Sequence, residues 1–154
     1  MTLLGAFLIG FFAGLRSLTP PAATAWAAHL GWLKLQATLA LMGTIVSVVV
    51  WTLLAAVELL ADKSPKMANR TSGRGISARV LTGGLTGTCI AMSGGASLVL
   101  GAVLGSAGGI AGCFAGFHAR TRLVQALRAR DFYVAVIEDL IAIGGSIWVV
   151  SRFA

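Results

Sequence analysis

The amino-acid sequence predicts an all-α, polytopic integral membrane helical bundle of about five transmembrane helices, the first of them broken. Hydrophobic residues make up 57% of the 154 residues and charged residues only 11%, with a mean hydropathy of +0.89, whereas soluble domains carry about 25% charged residues. Forty consecutive residues between Arg79 and Arg120 contain no Asp, Glu, Lys or Arg. Since about 20 helical residues cross the hydrocarbon core, this run holds two membrane passes. The length suits a single integral membrane domain over residues 1–154.

The first apolar segment, residues 2–29, contains the motif GLRSLTPP at Gly14–Pro21. Residues 2–15 extend only about 21 Å as a helix, which is too short to cross the membrane. The segment therefore either continues past Arg16 as one broken pass or turns back as a re-entrant hairpin. Two prolines remove backbone donors and restrict the preceding residue, so the helix kinks or breaks at Thr19–Pro21. Because the N-terminus lacks the basic region of a secretory signal, we expect the segment to be retained.

Four further apolar segments lie at about 35–60, 80–92, 97–117 and 132–151. Five basic residues fall in the loop 61–79 and four in the segment 118–131. Two passes separate these basic segments, so both lie on one side, which the positive-inside rule makes cytoplasmic. Five passes then place the N-terminus in the cytoplasm and the C-terminus outside, and we favour this topology. The re-entrant alternative leaves four passes and moves the N-terminus outside.

Glycines recur every fourth residue in several of these segments. The rows are Gly10–Gly14, Gly83–Gly87, Gly101–Gly105–Gly109 and Gly108–Gly112–Gly116. Small residues at this spacing form a groove in which another helix backbone can approach closely. Ordinary packing within the chain is the favoured interpretation, and the alternative is a homodimer seam along the fourth pass. A homo-oligomer, most simply a dimer, is therefore an expected partner.

A weak internal repeat links the first and fourth passes. The stretch FAGLRSLT at Phe12–Thr19 resembles FAGFHART at Phe114–Thr121. Four of eight positions match, in a sequence rich in alanine and glycine, so chance is a serious alternative. In the five-pass topology these stretches run in opposite directions. The two similar stretches would then form an inverted repeat, which is typical of transporters that bind their solute near the membrane midplane.

Several ionisable and polar residues lie within the apolar segments and are the candidate substrate- or ion-binding residues. They are Arg16, Ser17, Thr19, Glu58, Asp62, Glu138 and Asp139. A charge in hydrocarbon costs several kcal/mol unless it is paired or hydrated, so these groups should face inward. One interpretation is a structural ion pair between Arg16 and a carboxylate, with Glu138 favoured over Asp139 or Glu58. The other is a hydrated cavity in which Arg16 binds an anion or counter-ion and Glu138 binds a proton or cation.

Catalytic and metal chemistry find no support in the sequence. His29 and His118 have no second ligand at metal spacing, and no catalytic triad order, zinc-protease motif or phosphate loop is present. Cys89 and Cys113 fall in apolar stretches and are expected to be buried free thiols. We therefore predict no catalytic residue, metal or cofactor. The net charge of +7 is attributed to topology rather than to nucleic-acid binding.

Five motifs together resemble a known family. They are GLRSLTPPAATAWAA, ELLADKSP, RTSGRGISAR, GGIAGCFAGFHAR and VIEDLIAIGGS. Over nearly the whole chain they look like the bacterial membrane-protein family catalogued as domain of unknown function 4126. The resemblance implies a small protein of the bacterial cytoplasmic (inner) membrane and carries no activity onto these residues.

Three functions remain open from the sequence. The first, which we favour, is a transporter or channel with a buried polar site at the broken first helix, acting on a small ion or anionic solute. The second is a membrane scaffold or a protein that binds lipids or lipid phosphates, with Arg70, Arg120 and Arg122 as head-group ligands, because basic cytoplasmic segments attract anionic lipids. The third and least supported is an enzyme on a lipid substrate. Membrane lipids are expected partners in every case.

Overall fold

The computed structural model describes residues 1–61, 73–127 and 131–154, and its regular secondary structure there is entirely helical. The elements are α1 (Thr2–Leu15), α2 (Thr19–His29), a 3₁₀ helix (Ala37–Gly43), α3 (Ile45–Ala61), α4 (Gly73–Ser93), α5 (Leu98–Leu127) and α6 (Asp131–Ser151). The predicted all-α fold class is confirmed.

Two helices in the described residues are long and apolar enough to cross a membrane. They are the stretches Leu98–Leu123 of α5 and Tyr133–Ser151 of α6, and the 3₁₀ helix with α3, bent by 64°, forms a third if the pair counts as one span. Helix α1 is apolar but has only 14 residues. These helices are consistent with a membrane protein. In the described residues two or three spans meet the criteria of length and hydropathy, so the predicted count of five is not confirmed.

Helices α1 and α2 form a hairpin and not a single pass. At the start of α1, the Thr2 hydroxyl donates a hydrogen bond to the Gly94 carbonyl at 3.4 Å. Beyond the end of α2, the Lys34 N–H donates to the Ser93 hydroxyl oxygen at 3.2 Å. Both outer ends of the α1–α2 pair therefore lie beside the turn that joins α4 to α5. The chain runs inward along α1, reverses after Leu15 and returns along α2, which is the re-entrant alternative of the sequence analysis.

The reversal follows from the residues between the two helices. Arg16 has φ −136° and ψ 114°, an extended conformation that ends α1. Pro20 and Pro21 lie in the first turn of α2. Proline suits this position, because its fixed φ matches a helix start and its missing N–H would have had no partner within the helix. The prolines thus begin the second helix of the hairpin instead of kinking a continuous one.

Glycine rows join α5 to its two main neighbours, α1 on one side and α4 on the other. A Cβ atom added at Gly10 would overlap the Gly105 carbonyl, and one added at Gly14 would lie 2.6 Å from the Gly112 Cα. On the α4 side, a Cβ at Gly83 would lie 2.5 Å from the Gly105 oxygen. The rows therefore serve packing within the chain. The seam proposed for a homodimer is occupied, so a second copy would have to bind elsewhere.

The same contacts give the relative directions of α1 and α5. Gly10 lies against Gly105 and Gly14 against Gly112, so residue numbers increase in the same direction along both helices. The similar stretches Phe12–Thr19 and Phe114–Thr121 therefore begin on parallel helices. The expected inverted repeat is wrong, because it required the first segment to cross the membrane as a full pass.

The apolar core is concentrated near the α4–α5 turn. One cluster brings together residues of α1, α4 and α6, including Ile9, Ile90 and Val149. Both cysteines are buried and neither forms a disulfide bond, as the sequence predicted. At the opposite end of the bundle the buried side chains are charged, and there the α1–α2 hairpin has its tip.

Candidate functional site

The hairpin tip, residues 16–19, lies inside the helical bundle, far from the α4–α5 turn. Its neighbours on α4 and α6 are Arg79, which precedes Ser93 by 14 residues, and Asp139, which precedes Ser151 by 12. At 1.5 Å per residue, these side chains lie about 20 Å from the turn end of the bundle. For a hydrocarbon core about 30 Å thick that begins at the turn, the tip lies about 10 Å below the opposite surface.

A carboxylate from α3 binds the start of α2. Glu58 Oε1 accepts hydrogen bonds from the Ser17 N–H at 2.9 Å and from the Ser17 hydroxyl at 2.6 Å. Its Oε2 accepts one from the Leu18 N–H at 2.9 Å. The first N–H groups of a helix have no partner within the helix and carry its partial positive charge. Glu58 therefore caps α2 with a charge of the favourable sign.

A guanidinium from α4 binds the end of α1. Arg79 is 8% exposed, and its Nε donates to the Gly14 carbonyl at 2.8 Å. Its Nη1 donates to the Gly75 carbonyl at 2.9 Å. The last carbonyls of a helix lack partners within the helix and carry its partial negative charge. Each half-helix of the hairpin thus ends at a charge of opposite sign from another helix, with Arg79 buried and Glu58 half-buried.

Arg79 was not among the candidate site residues predicted from the sequence. It was counted with the basic loop 61–79, whereas α4 begins at Gly73 and carries Arg79 into the bundle. A signal was present, because Arg79 immediately precedes the forty residues without charge. A charged residue at the start of an uncharged run can lie inside the bundle when its helix begins several residues earlier, as α4 does at Gly73.

Two ion pairs complete the cluster. Arg16, only 2% exposed, pairs through Nη2 with the Asp139 carboxylate. Glu138 lies 3.7 Å from Arg120 Nη1 of α5. Adjacent residues point about 100° apart on a helix, so the two acids reach different partners. The structure thus pairs Arg16 with Asp139, a second choice of the sequence analysis, while it shows the favoured Glu138 beside Arg120.

The cluster contains equal numbers of opposite charges in the described part of the chain. The guanidinium groups are those of Arg16, Arg79 and Arg120, and the carboxylates are those of Glu58, Glu138 and Asp139. Burying a charge at this depth is costly unless it is paired or hydrogen-bonded. Here each charge meets either an opposite charge or a helix end. Such an arrangement can exchange one ion for another without leaving a net charge in the bundle.

Thr19 is a buried polar group with unused capacity. It is 6% exposed, and its Oγ1 has no hydrogen-bond partner among the residues that the structure describes. The residue lines a cleft of about 440 Å³ between α2, α3 and α6. The remaining lining is apolar apart from Thr52 and includes Ala55, Leu59 and Trp26. Thr19, at the start of α2, therefore borders open space in the cleft.

The structure gathers most of the predicted site residues at this end of the bundle. Arg16, Ser17, Thr19, Glu58, Glu138 and Asp139 all belong to the tip or to the charges around it. Asp62 and Arg70 lie outside the described residues. Of the predicted lipid ligands, Arg120 borders a cavity of about 230 Å³ between α5 and α6, and Arg122 is exposed.

Comparison with known proteins yields one match. The family described as "Domain of unknown function (DUF4126)" matches residues 3–151. No curated protein and no solved structure is significantly similar to the chain. The matched range extends from α1 to the last residue of α6 and contains both halves of the hairpin with every charge of the cluster. The chain therefore belongs to the DUF4126 family.

Proposed function

We propose that the protein is a small transporter or channel of the bacterial inner membrane, with its solute site at the hairpin tip. The observation that carries this proposal is the re-entrant hairpin, whose half-helix ends meet buried charges at membrane depth. Interrupted helices are tolerated there only where protein or water satisfies the backbone. Many transporters build their solute sites from such broken helices, with the helix ends directed at ions.

The cost of the charges supports a role beyond stability. Replacing a buried ion pair with apolar side chains of similar volume is often neutral or stabilising. A bundle already held by glycine packing does not need Arg16 and Asp139 in order to fold. Ionisable residues inside a membrane usually mark solute or proton pathways, and the same inference is drawn for this pair.

The proposed topology has four passes, α3 to α6, with α1 and α2 entering and leaving on one side. Helix α4 is counted as the fourth pass because its 21 residues pack along the spanning helix α5. The helix ends that flank the basic segments 61–79 and 118–131 in sequence are the ends of α3 and α5 and the starts of α4 and α6. They lie at the end of the bundle that contains the tip, and the positive-inside rule makes that end cytoplasmic. The N-terminus and the C-terminus then both face the periplasm. This replaces the cytoplasmic N-terminus expected from five passes and puts the tip about 10 Å from the cytoplasmic surface.

The solute class follows from the donors at the tip. The start of α2 presents N–H and O–H groups, which attract negative charge, and Arg16 lies beside them. A small anion fits these donors better than a cation does. Glu138 and Asp139 are the candidate proton or cation ligands of the same site.

One observation favours a second function, lipid binding. The cleft of about 440 Å³ between α2, α3 and α6 has an almost wholly apolar lining and lies within the size range of roughly 300–1,000 Å³ of ligand pockets. Trp26, which is 46% exposed, lies on its rim and donates from Nε1 to the Thr52 hydroxyl at 3.1 Å. A hydrocarbon chain would suit this cleft.

Proteoliposome flux separates the two functions. We expect the parent protein to raise the flux of chloride or acetate above that of protein-free vesicles. The double variant Arg16→Met with Asp139→Asn should fold and lose that flux, whereas Arg152→Met, at the other end of the bundle, should keep it. Full flux in the folded double variant would place the site elsewhere. No flux from the parent with either anion, together with a co-purifying lipid lost in Ala55→Trp, would favour lipid binding instead.

A further inference from the structure

We propose that the hairpin tip is an anion site that Glu58 fills with its own carboxylate, and that an external anion binds there together with a proton taken up by Glu58. This inference rests on the proposed function, since it names the solute and the coupling of the same site. It predicts that anion binding and protonation are linked.

The contacts of Glu58 are those of a bound anion. Three donors converge on one carboxylate, namely the N–H groups of Ser17 and Leu18 and the Ser17 hydroxyl, at 2.6 to 2.9 Å. Helix N-termini bind free carboxylates and phosphates through the same groups. These donors immediately precede α2. Within its first turn Pro20 and Pro21 have no N–H, and the Ala22 N–H donates to the Leu18 carbonyl, so the donors that an anion can use lie at the tip with Glu58. A small anion would satisfy the same donors.

A second, independent feature also points to a ligand at the tip. The hydroxyl of Thr19 is buried and has no hydrogen-bond partner within the described ranges, so it offers a donor that Glu58 does not use. Glu58 itself is only half-buried. Its neighbours Ala55 and Leu59 line the cleft of about 440 Å³ that also reaches Thr19. The side chain therefore has space to leave, and an anion has space to enter.

Charge balance couples the anion to a proton. Among the described residues, the charged groups of the cluster around the tip come from five parts of the fold and number three of each sign. They are Arg16 at the tip, Glu58 on α3, Arg79 on α4, Arg120 on α5, and Glu138 and Asp139 on α6. Protonating Glu58 adds one positive charge, which a bound monovalent anion cancels. In the exchange, the Glu58 carboxylate takes up a proton and becomes neutral, and the external anion takes its place on the donors at the tip.

Glu58 is the acid best placed for this exchange. Asp139 pairs with Arg16, and Glu138 faces Arg120, so protonating either would weaken an ion pair with a guanidinium. The contacts of Glu58 shown above are with N–H and O–H groups, which an incoming anion can accept in its place. Losing Glu58 from the tip therefore leaves no cation unmatched once the anion has bound.

Binding measurements on the purified protein test the proposal. Calorimetric titration with sodium chloride or sodium acetate, in buffers of different ionisation heat, reports protons taken up on binding. We expect uptake of about one proton per anion. In the pH range where Glu58 is ionised before binding, the affinity for the anion should fall about tenfold for each unit by which the pH rises. Glu58→Gln should bind the anion without proton uptake and independently of pH. Glu138→Gln removes the same charge from the same cluster but should keep the coupling of the parent.

Three results would overturn the proposal. They are a parent protein that binds an anion without taking up a proton, a Glu58→Gln variant that binds neither anion, and a Glu138→Gln variant that loses the coupling as fully as Glu58→Gln does. If Glu58→Gln does not fold, proton uptake by the parent still decides. Coupled binding without flux in proteoliposomes would refute transport but keep the site. Flux with uncoupled binding would keep transport and refute the role of Glu58.

Discussion

Removing one partner of the Arg16–Asp139 pair should destabilise the protein strongly. Both residues are more than nine-tenths buried, with exposures of 2% and 7%, so little solvent screens the charge that remains. Leaving a buried charge without its partner costs about 3–5 kcal/mol. We therefore expect Arg16→Met and Asp139→Asn each to lower the free energy of unfolding by roughly that amount.

The double variant should recover most of this loss, because it leaves no lone charge and Met fills much of the Arg volume. The expected coupling energy is about 2–3 kcal/mol, at the upper end of the range for contacting residues. Chemical unfolding in detergent micelles of the parent, both single variants and the double variant gives this value. Losses that add within about 0.5 kcal/mol would show that the residues do not interact, and the assignment of the pair would be wrong.

The Arg120–Glu138 pair offers an internal comparison. Its atoms lie 3.7 Å apart, and the Arg120 side chain is 17% exposed, so solvent screens it more than the inner pair. We expect a coupling energy of about 1 kcal/mol or less, as for partly exposed pairs. A larger coupling energy for Arg120–Glu138 than for Arg16–Asp139 would contradict the expectation that the more deeply buried pair interacts more strongly.

Two further predictions concern packing and topology. Gly105→Ala should cost about 1–3 kcal/mol, because the added Cβ meets the α4 backbone, whereas Gly144→Ala has open space at its Cβ and should be neutral or stabilising by up to about 1 kcal/mol; equal melting temperatures would contradict the glycine contact. In a cysteine-free background, a cysteine inserted after Met1 and one replacing Ala154 should be labelled by an impermeant thiol reagent from the same side, and one replacing Gln125 from the other. Labelling of the cysteine after Met1 and the one at position 125 from the same side would instead indicate that residues 2–29 cross the membrane as a single pass.

Local chemistry predicted that the first segment is broken, but neither the position nor the direction of the break: it was expected at Thr19–Pro21, whereas α1 ends at Leu15 and α2 begins at Thr19. The prolines indicate an interruption, since each residue acts on its own backbone. Whether the chain then continues or returns depends on contacts of Thr2 and Lys34 with the distant α4–α5 turn. Residues 2–29 are equally apolar in both cases, so hydropathy cannot distinguish them.

The sequence predicted that Arg16 pairs with a carboxylate, but it did not identify which carboxylate. A buried arginine needs an opposite charge or good hydrogen-bond acceptors, and the sequence offers only five acids as possible ion-pair partners. The choice between Glu138 and Asp139 depends on the rotation of α6 about its axis, because adjacent side chains point about 100° apart. That rotation is set by packing against α1 and α2, on which the sequence of α6 alone gives no information.

The contacts of α3 indicate which helix would respond to a ligand at the tip. Helix α3 packs on α2 and on the 3₁₀ helix, and in α3 only Val48 and Ala55 are buried. Near the turn end, Val48 packs in an apolar cluster with Ala25. At the tip, its tie to the hairpin is the Glu58 carboxylate, with three hydrogen bonds. An anion that replaces Glu58 removes that polar tie and leaves the apolar contacts intact, so α3 would pivot about its Val48 end and open the adjoining cleft.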